Sequence, residues 1–514
     1  MKFFPRNALI VLALVLVWRV LLLVLTAQPI PANDAFGYDG GVVNYLHGGG
    51  YCNPSFALIF PISGKELYAT YPPLYQVVLL AWMKLFGTSV ISAMALHLSL
   101  FAVSSLLVLA IIRKFFPAAP GLALAGLLFF GFTFGDRPES LAYVFGLGSL
   151  WLGSRQLTEP GFHPGLAAGL MLALWLTLYT SVIVGGYFFG VGFLACLVAC
   201  GWRRNWFWFA PYVGAAGLFI VVTLGIAKWE PLWWAGFMES ARQQSVVSTG
   251  LHAPHGADVM KMIRTTPVFL VALGVVPLVL ARRKELPESA WLALCAGILV
   301  AGWGMLAAAL MLLASSYVNY AAFTQILLAA GLLALVDQYA PGRGRCLRAA
   351  LLACAVLVSV RALGLTTWGA VCAWKNSYAN TQAVLRTELQ PYLTSGQPVL
   401  LSSAYLYEAA GWGLKNPVHS DWYFDHAHWT NNAQVAALKQ LRPPKLVLTQ
   451  FDYYRGLKGP VSQLQQHTEL VAVQVRDLAA LPVPDAFHSM QRVVQNISWA
   501  PVIVDLDWKK PPSP

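Results

Sequence analysis

Long apolar runs constrain this chain more than any other feature. A helix needs about 20 mostly apolar residues to cross a bilayer. Runs of about that length, separated by polar or Gly and Pro punctuation, recur about eleven times. They fall at about 8–27, 89–112, 119–134, 139–155, 165–183, 185–201, 207–226, 266–281, 289–313, 317–336 and 347–368. Only 11% of the 514 residues are charged and 58% are hydrophobic, whereas a soluble chain carries about 25% charged residues. The pattern predicts an α-helical polytopic membrane protein with about 11 transmembrane helices.

The net charge of +12 is unevenly placed. Counted from a cytoplasmic N-terminus, the short inner loops hold Lys2, Arg6, Arg113, Lys114, Arg155, Arg203, Arg204, Arg282, Arg283, Lys284, Arg343, Arg345 and Arg348. The larger outer segments, apart from the C-terminal tail, hold Lys65, Lys84, Arg137, Lys228, Arg242, Lys261 and Arg264. This asymmetry follows the positive-inside rule and argues for a bilayer, not a nucleic acid, as the partner of the basic charge. The first run follows Lys2 and Arg6 as a signal peptide would. It is long, however, carries Arg19 and lacks a small-residue cleavage site before Pro29 and Pro31, so an uncleaved span is expected. An odd number of spans then places residues 371–514 outside.

Residues 1–370 form the expected transmembrane module, with an outer loop at 28–88 and a second outer segment from Lys228 to Thr265. Within the first, Leu74 to Phe86 (LYQVVLLAWMKLF) is apolar but too short to span, which suggests a helix lying on the membrane surface. From about 375 onward charged and amide residues become frequent. Helix-like stretches at Thr381 to Leu393 and Asn432 to Leu441 lead into the apolar strands PVLLSS at 398–403 and KLVLTQ at 445–450. That alternation predicts a C-terminal extracytoplasmic α/β domain at 371–514. Of seven cysteines, Cys52 and Cys372 fall on the outer side, where they either pair or stand as unrelated thiols.

Acidic residues are scarce, so those at the outer boundary are informative. Asp34 and Asp39 follow the first span in PANDAFGYDGGVVNYLHGGGY, and Asp136 and Glu139 lie in FTFGDRPESLAY. A carboxylate in an interfacial cleft can take a proton from an attacking hydroxyl or amine, and a second can orient the acceptor or bind a metal. The alternative is helix capping, since Glu139 follows Pro138 at a helix start.

The stretch from Asp34 to Phe86 resembles the first outer loop of the GT-C superfamily, in the bacterial families related to protein O-mannosyltransferases and the lipid A aminoarabinose transferase. The similar features are Asp34, then Gly48, Gly49 and Gly50, then Tyr71, Pro72, Pro73, Leu74 and Tyr75, ending at Leu85, Phe86 and Gly87. Arg137, Pro138 and Glu139 resemble an Arg-Pro-Asp step, and Asn319 and Tyr320 in SYVNYAAF an Asn-Tyr element opening a later span. The resemblance implies a GT-C-type membrane glycosyltransferase that moves a hexosyl or pentosyl group from a polyprenyl-phosphate donor with inversion. The acceptor would be a lipid, polysaccharide or protein on the extracytoplasmic face of a bacterial plasma membrane. Asp34 would be the general base and Glu139 a second catalytic acid. Arg137 would hold the donor phosphate, with Asp136, Asp39, Tyr71, Asn319 and Tyr320 as further substrate-binding candidates.

Two departures bear on this. Ala35 follows Asp34 where many relatives carry a second acid, and Thr70 and Tyr71 precede the Pro-Pro where the aminoarabinose transferase group has Glu-Lys. Lys65 is the candidate to replace that lysine. A divalent metal stays open, with His252, His255 and Asp258, or His426 and His428, at spacings that suit one. Arg19, Arg361 and His97 lie inside apolar runs and call for partners or a cavity. A flippase or transporter of lipid-linked saccharides is the alternative function, and a non-catalytic saccharide or lipid binder a third. The one-sided placement of polar loops favours the enzyme over a transporter with its site at the midplane.

Overall fold

A computed structural model describes residues 6–27, 33–56, 60–115, 137–159, 161–203, 206–248, 371–372, 374–414, 417–419, 431–466, 470–479 and 499–509, with scattered positions between 297 and 370. The N-terminal part is helical. It comprises α1 (Arg6–Thr26), α2 (Asn33–Leu46), α3 (Pro61–Lys65), α4 (Leu74–Phe86), α5 (Val90–Phe115), α6 (Glu139–Thr158), α7 (Pro164–Thr180), α8 (Val182–Arg203), α9 (Ala210–Trp229) and α10 (Pro231–Ser248).

Among the described residues four helical stretches are long and apolar enough to cross a membrane: Leu9–Thr26, Val90–Arg113, Val182–Ala199 and Trp206–Trp229. The outward faces of the first and last carry Leu14, Val24, Val213 and Val221, each at least 64% exposed. Rows of exposed aliphatic side chains are stable against lipid and not against water. The chain is therefore a multi-pass membrane protein. Helices α6 and α7, at 20 and 17 residues, pack against each other and against α8. The apolar runs at 119–134, 266–281, 289–313, 317–336 and 347–368 lie wholly or largely outside the described residues.

Local sequence explains where the outer elements begin and end. Helix α1 stops where Ala27 turns left-handed at φ 51°. Pro72 and Pro73 precede α4, whose buried residues Tyr75, Gln76, Leu79 and Met83 recur at helical spacing, and Gly87 at φ 87° closes it. Two differences from the sequence reading stand out. The Asp34 stretch, read as loop, is helix α2 in spite of Gly40 and Gly41. A Cβ at Gly40 would fall 2.3 Å from the Asn53 side chain, which donates to Gly37 O, so the glycine admits a close approach. The segment after Lys228, also read as loop, begins with α10, which opens at Pro231 and packs on α3.

The C-terminal segment contains α11 (Tyr378–Leu389), β1 (Val399–Leu401), α12 (Leu406–Gly411), β2 (Pro417–His419), α13 (Asn431–Leu441), β3 (Lys445–Thr449), α14 (Lys458–Leu464), β4 (Leu470–Asp477) and β5 (Pro501–Trp508). The strands form one sheet in the order β2-β1-β3-β5-β4, with β2, β1 and β3 parallel and β5 and β4 antiparallel.

Alternate strand residues serve two separate cores. Leu400, Leu446, Leu448, Val502 and Val504 pack with Leu438 of α13 and Val461 and Leu464 of α14. On the other face Val399, Leu401, Val447 and Ile503 join Leu385 and Leu389 of α11, and this core continues without a break into Tyr38, Val42, Tyr75, Leu79 and Met94 of α2, α4 and α5. The sheet and the outer loop therefore share one hydrophobic core. The carboxyl ends of parallel strands are the usual ligand crevice of an open α/β sheet. Here the chain leaves β1 into α12, which packs on α2.

Candidate functional site

The site is built around α2. Asp34 sits in its first turn, where the helix dipole favours an acid. Its side chain lies outside the described part of the structure. Tyr38 is four residues further on and so on the same face of the helix. Asp39, five residues on from Asp34, lies about 140° around the helix from it.

The Tyr38 face meets the Arg137-Pro138-Glu139 step at the start of α6. Arg137 Nη2 donates to the Tyr38 hydroxyl at 3.3 Å, its guanidinium carbon stands 5.7 Å from the Tyr38 ring centre, and Tyr38 donates to the Tyr71 hydroxyl at 3.1 Å. The two tyrosine rings meet edge to face, with centres 4.6 Å apart. Glu139 is buried, with Oε2 3.8 Å from Arg137 Nε. Arg137 and Tyr71 are half-buried, so the face is reachable while Tyr38 beneath them is not. Three of the residues expected from the sequence thus come together: Arg137, Glu139 and Tyr71. Tyr38 is added by the structure, and its position four residues after Asp34 was the signal that would have found it.

Asp39 points the other way. It is 2% exposed, and Tyr75 Oη lies 2.8 Å from Oδ1 while Tyr407 donates to Oδ2 at 2.8 Å. Burial pushes its carboxyl up to about 7, with the hydrogen bonds from Tyr407 and Tyr75 opposing. Tyr75 in turn lies 3.0 Å from His97 Nε2, and His97 Nδ1 is 2.7 Å from Ser140 Oγ. Asp39 therefore joins elements together behind the Tyr38 face. Tyr407 carries no local signal, because it stands in an ordinary stretch far along the chain.

Lys65 is exposed at the end of α3, where Ile62 N donates to Glu239 Oε2 of α10 at 3.2 Å. Asp136, Asn319 and Tyr320 lie outside the described residues, as do His252, His255, Asp258, His426 and His428. Among the described residues no group of three His, Cys, Asp or Glu side chains is placed to hold a metal. Cys52 and Cys372 are both buried free thiols. Arg19 lies over the Phe101 ring at 4.5 Å, which gives that charge an aromatic partner from α5.

No protein-family description matches this sequence, and no curated protein matches it. Two solved structures are similar to it. ArnT from Cupriavidus metallidurans, in a crystal structure bound to undecaprenyl phosphate, is 13% identical over 85% of this chain and 88% of its own, with a TM-score of 0.43. The archaeal oligosaccharyltransferase AglB from Archaeoglobus fulgidus, in complex with an inhibitory peptide and a dolichol-phosphate, is 11% identical over 92% of this chain and 73% of its own, with a TM-score of 0.48.

Proposed function

We propose that this chain is a membrane glycosyltransferase that moves a sugar from a polyprenyl-phosphate carrier to an acceptor at the extracytoplasmic face. The observation that carries this reading is the contact of Tyr38, one helical turn after Asp34, with Arg137 and Tyr71. It supports a reading in which Asp34 is the base and Arg137 the phosphate ligand of one site. The acceptor hydroxyl or amine attacks the anomeric carbon and passes its proton to Asp34. The bond from that carbon to the phosphate oxygen breaks with its electron pair, and configuration inverts. Arg137 offers two parallel N–H donors to the departing phosphate, while buried Glu139 holds the guanidinium in place and Tyr71 lines the approach. Asp136, Asn319 and Tyr320 are further candidates for substrate contact.

The shared core supports the sidedness of this reading. Trp499 Nε1 donates to Ala27 O at the end of α1, and Tyr407 reaches Asp39. These contacts support placing residues 371–514 on the same side as residues 28–88, which in this reading is the outside of a bacterial plasma membrane.

The test supplies full-length protein with undecaprenyl-phosphate-linked hexoses and pentoses and measures release of undecaprenyl phosphate. Asp34→Asn is expected to lower turnover at least about 100-fold. Equal turnover by the two proteins would remove Asp34 as base, and movement of intact lipid-linked sugar between leaflets without release would favour a flippase.

A further inference from the structure

Behind the Tyr38 face, buried groups from five elements stand in one hydrogen-bonded row. Tyr407 donates to Asp39 Oδ2 at 2.8 Å. The Tyr75 hydroxyl lies 2.8 Å from Asp39 Oδ1 and 3.0 Å from His97 Nε2. The other ring nitrogen, Nδ1, is 2.7 Å from Ser140 Oγ, which stands 2.8 Å from the backbone oxygen of Arg137. Asp39, Tyr75, His97 and Ser140 are each at most 3% exposed.

With Tyr407 donating to Oδ2, a proton on Asp39 sits on Oδ1, and counting protons along the row leaves two arrangements in which the imidazole stays neutral. Tyr75 has one hydroxyl proton for two partners. When Asp39 is protonated it donates to Tyr75, Tyr75 donates to His97 Nε2, Nδ1–H donates to Ser140, and Ser140 donates to the Arg137 carbonyl. When Asp39 is ionised, Tyr75 donates to Asp39 and Nε2–H donates to Tyr75. Nδ1 is then an acceptor, so the Ser140 proton turns to it and leaves the Arg137 carbonyl. A third arrangement, with imidazolium beside carboxylate, would separate two charges in a buried row, which is costly. Losing one proton at Asp39 therefore reverses the hydrogen bonds between Asp39, Tyr75, His97 and Ser140, leaves the one from Tyr407 unchanged, and gives up the one at the Arg137 carbonyl.

We propose that Asp39, Tyr75, His97 and Ser140 form a proton relay that carries the protonation state of Asp39 to the Arg137-Pro138-Glu139 step. They are positioning residues for Arg137. The consequence for phosphate binding rests on the role given to Arg137 above, whereas the relay itself does not. The groups facing Asp39 are Tyr75 of α4, Tyr407 of α12 and Tyr68 of the loop, with Tyr38 beside it on α2 and His97 of α5 beyond Tyr75. Arg137 and Glu139 stand at the far end beside Ser140. Among these, Asp39 is the carboxyl whose burial brings its titration near neutral pH.

The experiment is nitrogen-15 NMR of full-length protein in lipid nanodiscs, with labelled histidine and the His97 signals assigned by their loss in His97→Gln. Ring-nitrogen shifts distinguish the Nδ1–H from the Nε2–H tautomer. The relay requires His97 to pass from Nδ1–H below neutral pH to Nε2–H above it, with a midpoint near 7. Tyr75→Phe, which keeps the ring and its packing, should lose that exchange and hold one tautomer throughout. Asp39→Asn should lose it as well. A single His97 tautomer across the range in the unmodified protein, or an unchanged exchange in Tyr75→Phe, would overturn the relay. If the exchange is present while no undecaprenyl-phosphate-linked sugar is turned over, the relay stands and the glycosyl-transfer reading fails.

Discussion

Tyr407 donates its hydroxyl to Asp39 Oδ2 at 2.8 Å across 368 positions of sequence. This bond joins α2, the first helix after the first span, to α12, the first α-helix beyond strand β1. It lies inside the core that the sheet shares with α2, α4 and α5. Because that core is continuous, the C-terminal segment is a structural wall of the outer loop.

The first prediction removes that bond. Tyr407→Phe leaves Asp39 Oδ2 buried without its tyrosine donor, at an expected cost of about 1–3 kcal/mol. A lowered Tm of full-length protein in detergent would show it. Ser402→Ala, at a buried position elsewhere in the segment, serves as a comparison.

Asp39 also sets a pH dependence. Its folded value of about 7 lies above the ordinary 3.8, so the native state holds more protons than the unfolded chain between those values. The contribution is fully present below about pH 4 and is lost as pH rises to about 7, with a slope of up to about 1.4 kcal/mol per pH unit. Melting curves at a series of pH values should show this fall in the unmodified protein and its absence in Asp39→Asn.

Glu388 has the opposite sign. It accepts from Arg476 through both oxygens at 2.9 and 3.0 Å and pairs with Lys445, while Asp505 closes the network at 2.9 Å from Lys445 and 3.0 Å from Arg476. The hydrogen bonds from Arg476 hold the Glu388 carboxyl below its usual range. Its stabilisation is present above the ordinary carboxylate range and is lost as pH falls through that lowered value. Glu388→Gln should cost about 1–3 kcal/mol at neutral pH and less in acid, read as a Tm difference that shrinks on acidification.

Two neighbouring glycines of α8 make a paired test of helix packing. A Cβ at Gly185 would fall 2.6 Å from Leu178 Cα and 2.8 Å from its N, whereas at Gly186 it meets nothing within 4 Å. Gly185→Ala should destabilise by about 1–3 kcal/mol, because backbone must move. Gly186→Ala should be neutral or stabilising by up to about 1 kcal/mol.

At the candidate site, Arg137→Lys keeps the charge but loses the planar pair of donors and the contact with Tyr38. The expected result is a loss of about tenfold or more in kcat/KM with an undecaprenyl-phosphate-linked sugar, comparable to Arg137→Ala. Full activity of the lysine variant would show that charge alone suffices.

How much of this was legible in advance varies with the kind of interaction. Helix α4 and strands β1 and β3 were readable because their apolar residues recur at local periods. Helix α2 was not, since Gly40 and Gly41 argue against a helix unless Asn53 and Tyr68 are known to press on that face. Arg137, Glu139 and Tyr71 were readable as residue types at a boundary, and Tyr38 shares a face with Asp34 through simple helix geometry. Asp39 was named as a substrate contact. The structure turns it inward instead, toward Tyr75 and Tyr407.

By itself the sequence determined that the chain lives in a bilayer, where the polar loops gather and which few acids and bases stand at that boundary. Those properties follow from composition and from periodicities of a few residues. Tertiary structure alone decided that Asp39 turns inward to Tyr75, and that Tyr407 completes its environment. Such choices depend on which distant surfaces share a core, and no local pattern encodes them.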